Sequence, residues 1–243
     1  MPLKAVLFDL DDTLLGNPMD AFLPRYIPSV SRHAAKLIPD REVDFTAALI
    51  KATRVMMNNT DPAFTNAEIF WQRVEHETGI DWLSLGALDH MEGYYTAEYE
   101  TIQEVTYVKT VAVEMINWVQ DQGWQVVIAT NPLYPRVAIE SRLRWADLSV
   151  EAYDFALVTH AENMHATKPQ VAYYEEILGR IGCEPHEAVM VGDSWGNDIV
   201  PTAALGMPNF WIENGQGAVP DVELTQGVGD LGAFFEMLKR KAD

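Results

Sequence analysis

The stretch LKAVLFDLDDT, residues 3–13, decides how the rest of the chain is interpreted. In it the short, mostly apolar run Leu3–Leu10 ends in acids: Asp9 is its second-last residue, and Asp11 and Asp12 follow it directly. A short run that is apolar throughout is typical of a strand buried on both faces of a parallel sheet. Ligands of open α/β sheets bind beyond the carboxyl ends of the strands, so these acids are candidate site residues.

Four further runs of this kind lie late in the chain, and helical patterns separate them. The runs are Gln125–Thr130, Phe155–Thr159, Ala188–Gly192 and Pro208–Ile212. Apolar residues at spacings of three and four predict a helix that ends at Gly123 and another that begins after Pro169. Strands that alternate with helices pair in parallel. We therefore expect an α/β fold with a doubly wound, Rossmann-like parallel sheet.

The region after the first strand has a different pattern. It carries helical periodicity, as in Arg41–Met57 and Asn66–Thr78, and almost no run typical of a strand. A helical block inserted at this point predicts an all-helical cap over the strand ends. We expect an α/β core of residues 1–15 and 106–243 and a helical cap domain of residues 16–105.

Charge within this insert is uneven. Over residues 16–55 six basic residues face four acids, whereas over residues 56–105 one base faces ten acids. The first half is therefore the net cationic part of the insert, where an anionic substrate is most favourably met. Arg25, Lys51 and Arg54 are the residues that we expect near the substrate.

The overall charge and the cysteine content exclude several classes of partner. The chain has 17 Lys and Arg against 36 Asp and Glu, a formal net charge of −19. Nucleic acids and anionic lipids are bound chiefly through basic patches, so neither a nucleic acid nor a membrane partner is expected. Cys183 is the only cysteine, which excludes an intrachain disulfide and a cysteine-based metal site. A cytoplasmic location is expected.

Polar residues gather where the predicted strands end. Thr130 and Asn131 end the second strand, and Lys168 precedes the helix that leads to the fourth. Asp193 directly follows that strand, and Asp198 lies five residues further on. Because parallel strands end at one edge of a sheet, we expect these side chains to meet there.

The chemistry of this set points to phosphoryl transfer. Several carboxylates brought together need a cation to stay ionised, so Asp9, Asp11 and Asp193 predict a hard metal ion. Oxygen ligands favour Mg²⁺ over zinc. Lys168 and Thr130 supply a charge and a hydroxyl for a phosphoryl group, and a carboxylate can itself act as the nucleophile.

Four segments together resemble the motifs of the haloacid dehalogenase superfamily. They are DLDDT (9–13), ATN (129–131), KP (168–169) and GDSWGND (192–198). The resemblance spans nearly the whole chain, and the helical insert takes the place of that family's helical cap. It implies a Mg²⁺-dependent phosphohydrolase that works through a phospho-aspartate.

The resemblance also implies a role for each matching residue. Asp9 is the nucleophile, and Asp11 protonates the leaving group, then activates water, and offers its backbone carbonyl to the metal. The other implied roles are phosphoryl binding by Thr130 and Asn131, stabilisation of nucleophile and phosphate by Lys168, Mg²⁺ ligation by Asp193, and orientation of a metal-bound water or direct ligation by Asp198.

Asp11 separates two branches of the family. Dehalogenases lack an Asp at this position because they have no alkoxide leaving group to protonate, so Asp11 favours a phosphatase or a phosphomutase. Asp12 stands where glycine is common in the family. A cap of about 90 residues closes the site to bulky macromolecules, so a small phosphorylated metabolite is the expected substrate.

Three functions are alternatives to a phosphatase. A phosphomutase of sugar phosphates would return the phosphoryl group to a reoriented intermediate. A non-catalytic, phospho-ligand-binding regulatory protein is disfavoured because Asp9, Asp11, Lys168 and Asp193 are all intact. A phospho-receiver domain is about half this length and needs no large helical insert. The oligomeric state is left open by the sequence.

Overall fold

The computed structural model describes residues 3–215 and 218–242. The strands in chain order are β1 (Ala5–Phe8), β2 (Leu15–Gly16), β3 (Tyr107–Val108), β4 (Gln125–Ile128), β5 (Leu157–Val158), β6 (Ala188–Gly192), β7 (Asn209–Ile212) and β8 (Val228–Gly229). The α-helices are α1 (Met19–Ala35), α2 (Phe45–Met57), α3 (Asn66–Thr78), α4 (Ala87–Tyr95), α5 (Thr110–Asp121), α6 (Arg136–Trp145), α7 (Val171–Ile181), α8 (Val200–Ala204) and α9 (Leu231–Ala242).

Six strands form one parallel sheet in the order β5-β4-β1-β6-β7-β8. The first strand lies inside it, with β4 on one side and β6 on the other, and all four of its residues are buried. The expected doubly wound α/β fold is confirmed. Each of the five predicted strands is present, although β5 is only two residues long.

Alternate residues of β1 pack into two different layers, as a strand with a side-chain period of two requires. Val6 and Phe8 join the hydrophobic cluster that contains residues of α5 and α9. Ala5 and Leu7 join a second cluster built around the buried face of α7. The sheet is thus covered on both faces, which explains why its strands are apolar throughout.

The helices α1–α4 and a 3-10 helix, Tyr99–Val105, form the helical insert between β2 and β3. These two short strands pair antiparallel, so the chain leaves and re-enters the sheet region at adjacent points. The insert does not have a separate core: Phe22, Trp82 and Tyr99 belong to the same hydrophobic cluster as Phe8 of the sheet. Among the residues that the structure describes, no helix is both long and apolar enough to cross a membrane.

Candidate active site

Three carboxylates converge at the ends of two central strands. Asp9 follows β1, and Asp193 and Asp198 follow β6; because these strands pair in parallel with Phe8 opposite Val191, their ends lie side by side. One oxygen from each of the three carboxylates lies within 4.8 Å of the others. Of the acid group expected from the sequence, Asp9, Asp11 and Asp193, the structure brings Asp9 and Asp193 together with Asp198, whereas the carboxylate of Asp11 bonds to Asn17 and Arg142.

Lys168 lies at the centre of this group and is 1% exposed. Its Nζ donates to Oδ1 of Asp9 at 2.8 Å and to Oδ1 of Asp198 at 2.6 Å. Burial lowers the pKa of Lys168, but the charges of Asp198 and Asp9 outweigh it, and the net pKa lies well above its usual value. The side chain is therefore a fixed cation that holds one oxygen of Asp9.

Asp198 is fully buried, and the backbone is shaped to admit it. The Ser194 N–H donates to its Oδ2 at 2.9 Å. A Cβ atom on Gly192 would lie 2.2 Å from the same oxygen, so only glycine leaves room for the carboxylate at this point. The other oxygen of Asp198 accepts from Lys168, so Asp198 holds the lysine in position.

The acids repel one another strongly in this arrangement. Burial and the charges of Asp9 and Asp198 raise the pKa of Asp193 to about 8. Burial also raises the pKa of Asp198 to about 6, although Lys168 opposes the shift. Raised pKa values in a carboxylate cluster indicate negative charge that lacks a counter-ion.

A divalent cation fits this site. The five carboxylates of the region, Asp9, Asp11, Asp12, Asp193 and Asp198, are countered by three cations, Lys109, Arg142 and Lys168, which leaves two negative charges. Hard oxygen donors at short mutual distances are what Mg²⁺ requires. The family-implied metal therefore agrees with the residues present.

Asp11 is held by two residues that sequence reasoning missed. Its Oδ1 accepts from Nδ2 of Asn17 at 2.8 Å, and its Oδ2 accepts from the guanidinium of Arg142. Arg142 is fully buried in α6, with its Cζ 4.2 Å from the centroid of the Tyr134 ring. Burial raises the pKa of Asp11, while Arg142 and Asn17 act against that rise.

Asp12 and Lys109 form the other side of the site. Asp12 has a positive φ of 57°, and its Oδ1 accepts from the Asn17 N–H at 2.9 Å. Lys109 donates to the Asp12 backbone carbonyl. Burial lowers the pKa of Lys109, and the nearby charges of Asp12, Asp193 and Asp9 oppose this. No sequence motif singles out Lys109, because only the β2–β3 pairing brings it here.

Thr130 and Asn131 lie at the end of β4, as predicted. The Thr130 carbonyl accepts from the hydroxyls of Tyr173 at 2.8 Å and Thr159 at 2.7 Å, which fixes the backbone under the site. Oδ1 of Asn131 accepts from the Lys168 N–H at 3.2 Å. In this structure Asn131 thus positions the segment that carries the lysine.

The helical insert contacts the segment on both sides of Lys168. Thr167 and Gln170 both donate to the carbonyl of Met57, at the end of α2, at 3.2 Å and 3.0 Å. Nδ2 of the buried Asn66 donates to the Ala166 carbonyl at 3.1 Å. The insert therefore lies against one of the site's own segments.

Of the three cations that we expect near the substrate, two are engaged elsewhere. Arg25 pairs with Glu104, and Lys51 pairs with Glu77 at 2.6 Å. Arg54 instead lines a cavity between the insert and the core. Net charge along the sequence could not show which cations already have acidic neighbours in space.

Comparison with known proteins agrees with the motifs. The model of the haloacid dehalogenase-like hydrolases matches residues 3–206. The glyceraldehyde 3-phosphate phosphatase of Pyrococcus furiosus is 23% identical over 98% of this chain and 94% of its own length. Among solved structures, a 2-haloacid dehalogenase from Pseudomonas syringae pv. Tomato DC3000 superposes with a TM-score of 0.61 at 21% identity, covering 98% of this chain and 99% of its own. A HAD phosphatase from Thermococcus onnurineus gives 0.58 at 19% identity, covering 97% and 98%.

Proposed function

Because this chain belongs to the haloacid dehalogenase-like hydrolases, we propose that it is a Mg²⁺-dependent phosphohydrolase that acts on a small phosphorylated metabolite. One observation carries the proposal: the buried Lys168 holds a single oxygen of Asp9 inside a cluster of acids, and a further acid, Asp11, lies two residues along the chain. The P. furiosus relative is named as a phosphatase of a phosphorylated triose, which supports a small organic phosphate.

Asp9 is the proposed nucleophile. Lys168 bonds Oδ1 of its carboxylate, which leaves Oδ2 to attack phosphorus. The P–O ester bond breaks as the new bond from Oδ2 to phosphorus forms, so the phosphoryl group is carried by Asp9. The fixed charge of Lys168 counters negative charge at this point of the reaction.

Asp11 is the proposed general acid and base. Burial raises the pKa of this carboxyl, which favours the protonated form that can give its proton to the leaving alcohol oxygen. The deprotonated Asp11 then takes a proton from the water that hydrolyses the phosphoryl group. Arg142 acts against the protonated form, so we expect Asp11 to exchange its bond to Arg142 when it donates to substrate.

The metal would be held by Asp9, Asp193 and the backbone carbonyl of Asp11, with Asp198 as a direct ligand or through water. When bound, it supplies charge compensation for the phosphoryl oxygens and orients the group for in-line attack. We assign Thr130 and Asn131 to the same phosphoryl oxygens through the hydroxyl and the amide nitrogen. Residues 16–105 are proposed as a cap domain that excludes bulk water, with residues 1–15 and 106–243 as the catalytic core.

The proposal is tested by phosphate release from a panel of phosphorylated metabolites, with Mg²⁺ and with excess chelator. We expect release that requires Mg²⁺ and that falls by about 10²–10⁴-fold in Asp11→Asn, because leaving-group protonation is lost. Asp12→Asn is the matched control: it makes the same change one residue away, and asparagine tolerates the positive φ. Equal losses in both variants would contradict a special role for Asp11.

A phosphomutase is distinguished in the same assay by analysis of the organic product. Conversion of a sugar phosphate to its isomer without release of free phosphate would show that the protein is a phosphomutase and not a phosphatase. No release and no isomerisation from a folded, Mg²⁺-loaded protein would overturn the catalytic assignment.

A further inference from the structure

A large cavity separates the helical insert from the core segment of residues 133–137, which leads into α6. Its volume is about 790 Å³, within the range of about 300–1,000 Å³ that is typical of pockets for drug-sized ligands. All four helices of the insert contribute to its wall. Its size and its place between the insert and the core make it a candidate ligand site.

The wall of this cavity is predominantly apolar. Aromatic rings and long aliphatic side chains form most of it, among them Met56, Phe70, Trp71, Tyr26 and Tyr95. The hydroxyls of the two tyrosines bond to each other at 2.8 Å. Burial raises the pKa of both, so they stay uncharged. The surface presented to a ligand therefore suits a hydrocarbon body.

Four charged side chains lie on the wall, Arg54, Glu92, Arg136 and Glu162, and two of them have partners. Arg136 bonds to Glu140 at 3.0 Å, and Glu162 accepts from His160 at 2.8 Å. A polyhydroxylated ligand buried here would leave hydroxyl groups without hydrogen bonds, which is costly. Apart from its charged groups and the side chains of Thr53 and Asn58, the wall therefore offers a sugar phosphate few hydrogen-bond partners.

The core side of the cavity lies beside the proposed reaction centre. Tyr134 is part of the wall, and its ring lies 4.2 Å from Cζ of Arg142, the residue paired with Asp11. Pro169, also in the wall, directly follows Lys168. The cavity therefore adjoins the proposed reaction centre through Tyr134 and Pro169.

The cavity opens to solvent through an apolar rim. Leu23, Ile50, Met57 and Leu88 all line it and are 36%, 45%, 38% and 59% exposed. Large apolar side chains grouped at the mouth of a cavity mark a site that an apolar partner covers. The rim supplies both the entrance and part of the binding surface.

We propose that this cavity binds the organic group of the substrate, and that the substrate is a phosphate monoester of a large apolar alcohol. The inference rests on the proposed phosphatase function. It differs from the three-carbon substrate named for the P. furiosus relative, which has too little apolar surface to cover this wall.

The first test compares two substrates with the same reacting bond, ethyl phosphate and n-octyl phosphate. Both release a primary alcohol, so a difference in kcat/KM reports the binding of the alkyl chain. We expect kcat/KM to be at least about tenfold higher for octyl phosphate, because each buried methylene favours binding. Equal values, or a preference for ethyl phosphate, would overturn the inference.

A pair of variants locates the effect. Leu23→Trp enlarges a side chain of the cavity wall, and we expect the ratio of the two kcat/KM values to fall toward one. Leu83→Trp is the matched control, since Leu83 belongs to the insert and is 50% exposed but does not line the cavity; its ratio should match the unaltered protein. Ile50→Glu places a charge on the same rim and should also lower the ratio.

Binding of 1-octanol, followed by calorimetry, separates this inference from the proposed function. Binding that Leu23→Trp weakens and Leu83→Trp preserves supports the cavity even if no ester is hydrolysed, in which case the phosphatase proposal alone fails. If ethyl and octyl phosphate are hydrolysed equally and octanol does not bind, the inference about the cavity fails and the phosphatase proposal stands.

Discussion

At the scale of single residues, the ion pair of Asp11 and Arg142 contains the proposed general acid, and burying it costs desolvation free energy. The guanidinium is fully buried against Tyr134 and Phe22, and one of its nitrogens, Nη2, has no hydrogen-bond partner among the described residues. A buried ion pair is expensive to desolvate, and removing one partner leaves the other charge uncompensated. Arg142 therefore contacts the candidate site through its ion pair with Asp11.

We predict that Arg142→Met lowers the free energy of unfolding by about 3–5 kcal/mol, because it leaves Asp11 without its counter-charge. Denaturant unfolding measures the change. Arg144→Met is the control on the same helix: Arg144 is 42% exposed and pairs with Glu100, so a loss below about 1 kcal/mol is expected. Similar losses in the two variants would show that the buried pair contributes nothing special.

The acid cluster predicts how stability depends on pH and metal. Because the pKa of Asp193 is raised to about 8 and that of Asp198 to about 6, the metal-free folded protein keeps protons that the unfolded chain loses above about pH 4. Its free energy of unfolding therefore falls as the pH rises from about 4 to 8, by at most about 1.4 kcal/mol per unit for each proton.

At the proposed metal site Mg²⁺ would take the place of those protons, so we predict that the rise in Tm caused by Mg²⁺ is larger at pH 8 than at pH 5. Thermal unfolding with Mg²⁺ and with chelator at the two pH values measures this difference. Asp193→Asn should remove most of it. An equal rise in Tm at both pH values would show that Mg²⁺ does not bind at these carboxylates.

At the scale of elements, the end of β6 sets the position of Lys168. The strand ends at Gly192, whose missing side chain admits Asp198 from the short helical turn Trp195–Ile199, and Asp198 in turn bonds the lysine. The glycine of the GDxxxxD motif thus meets a packing requirement, in addition to the ligand role that we propose for the two acids.

We predict that Gly192→Ala displaces Asp198 and lowers kcat by at least about tenfold, because a Cβ atom would lie 2.2 Å from Oδ2 of Asp198. Gly179→Ala provides the control, since Gly179 lies on α7 with no atom within 4 Å of the added carbon. That change should leave kcat unaltered and stabilise the protein by about 0.5–1 kcal/mol. Full activity in Gly192→Ala would contradict the packing argument.

The elements that the sequence predicted are those whose signals are local. The helix α7 begins after Pro169, as its sequence indicates, and is capped by Gly182 in the left-handed conformation. The helix α1 contains Pro24 and Pro28, which oppose helix formation, and is held by its buried face against the rest of the insert. The pair β2–β3 and the strand β8 have two residues each, too few to give a periodic pattern.

At the scale of the whole molecule, the predictable part of the site is the part carried by strand ends. Asp9, Asp193 and Lys168 meet because the parallel sheet brings their segments to one edge, and that topology follows from alternating strands and helices. Arg142 and Lys109 reach the same place from a helix and from a two-residue strand pair, with no polar motif around them. Only tertiary packing determines such contacts.

The insert packs against the core and forms hydrogen bonds with it. It shares a hydrophobic cluster with the sheet and donates or accepts hydrogen bonds around residues 164–170. The apolar cavity lies between the two, and its wall contains residues of both. We propose that the organic part of the substrate binds at this interface, next to the reaction centre.

The central claim is that Asp9 carries the phosphoryl group during turnover. The most direct measurement is mass spectrometry of peptides from enzyme that is quenched with acid while it turns over a phosphate ester with Mg²⁺. The account predicts one phosphoryl group on the peptide that contains Asp9, absent in Asp9→Asn and absent when the metal is chelated. Steady turnover with no phosphoryl group on that peptide, or with the group on another residue, would contradict it.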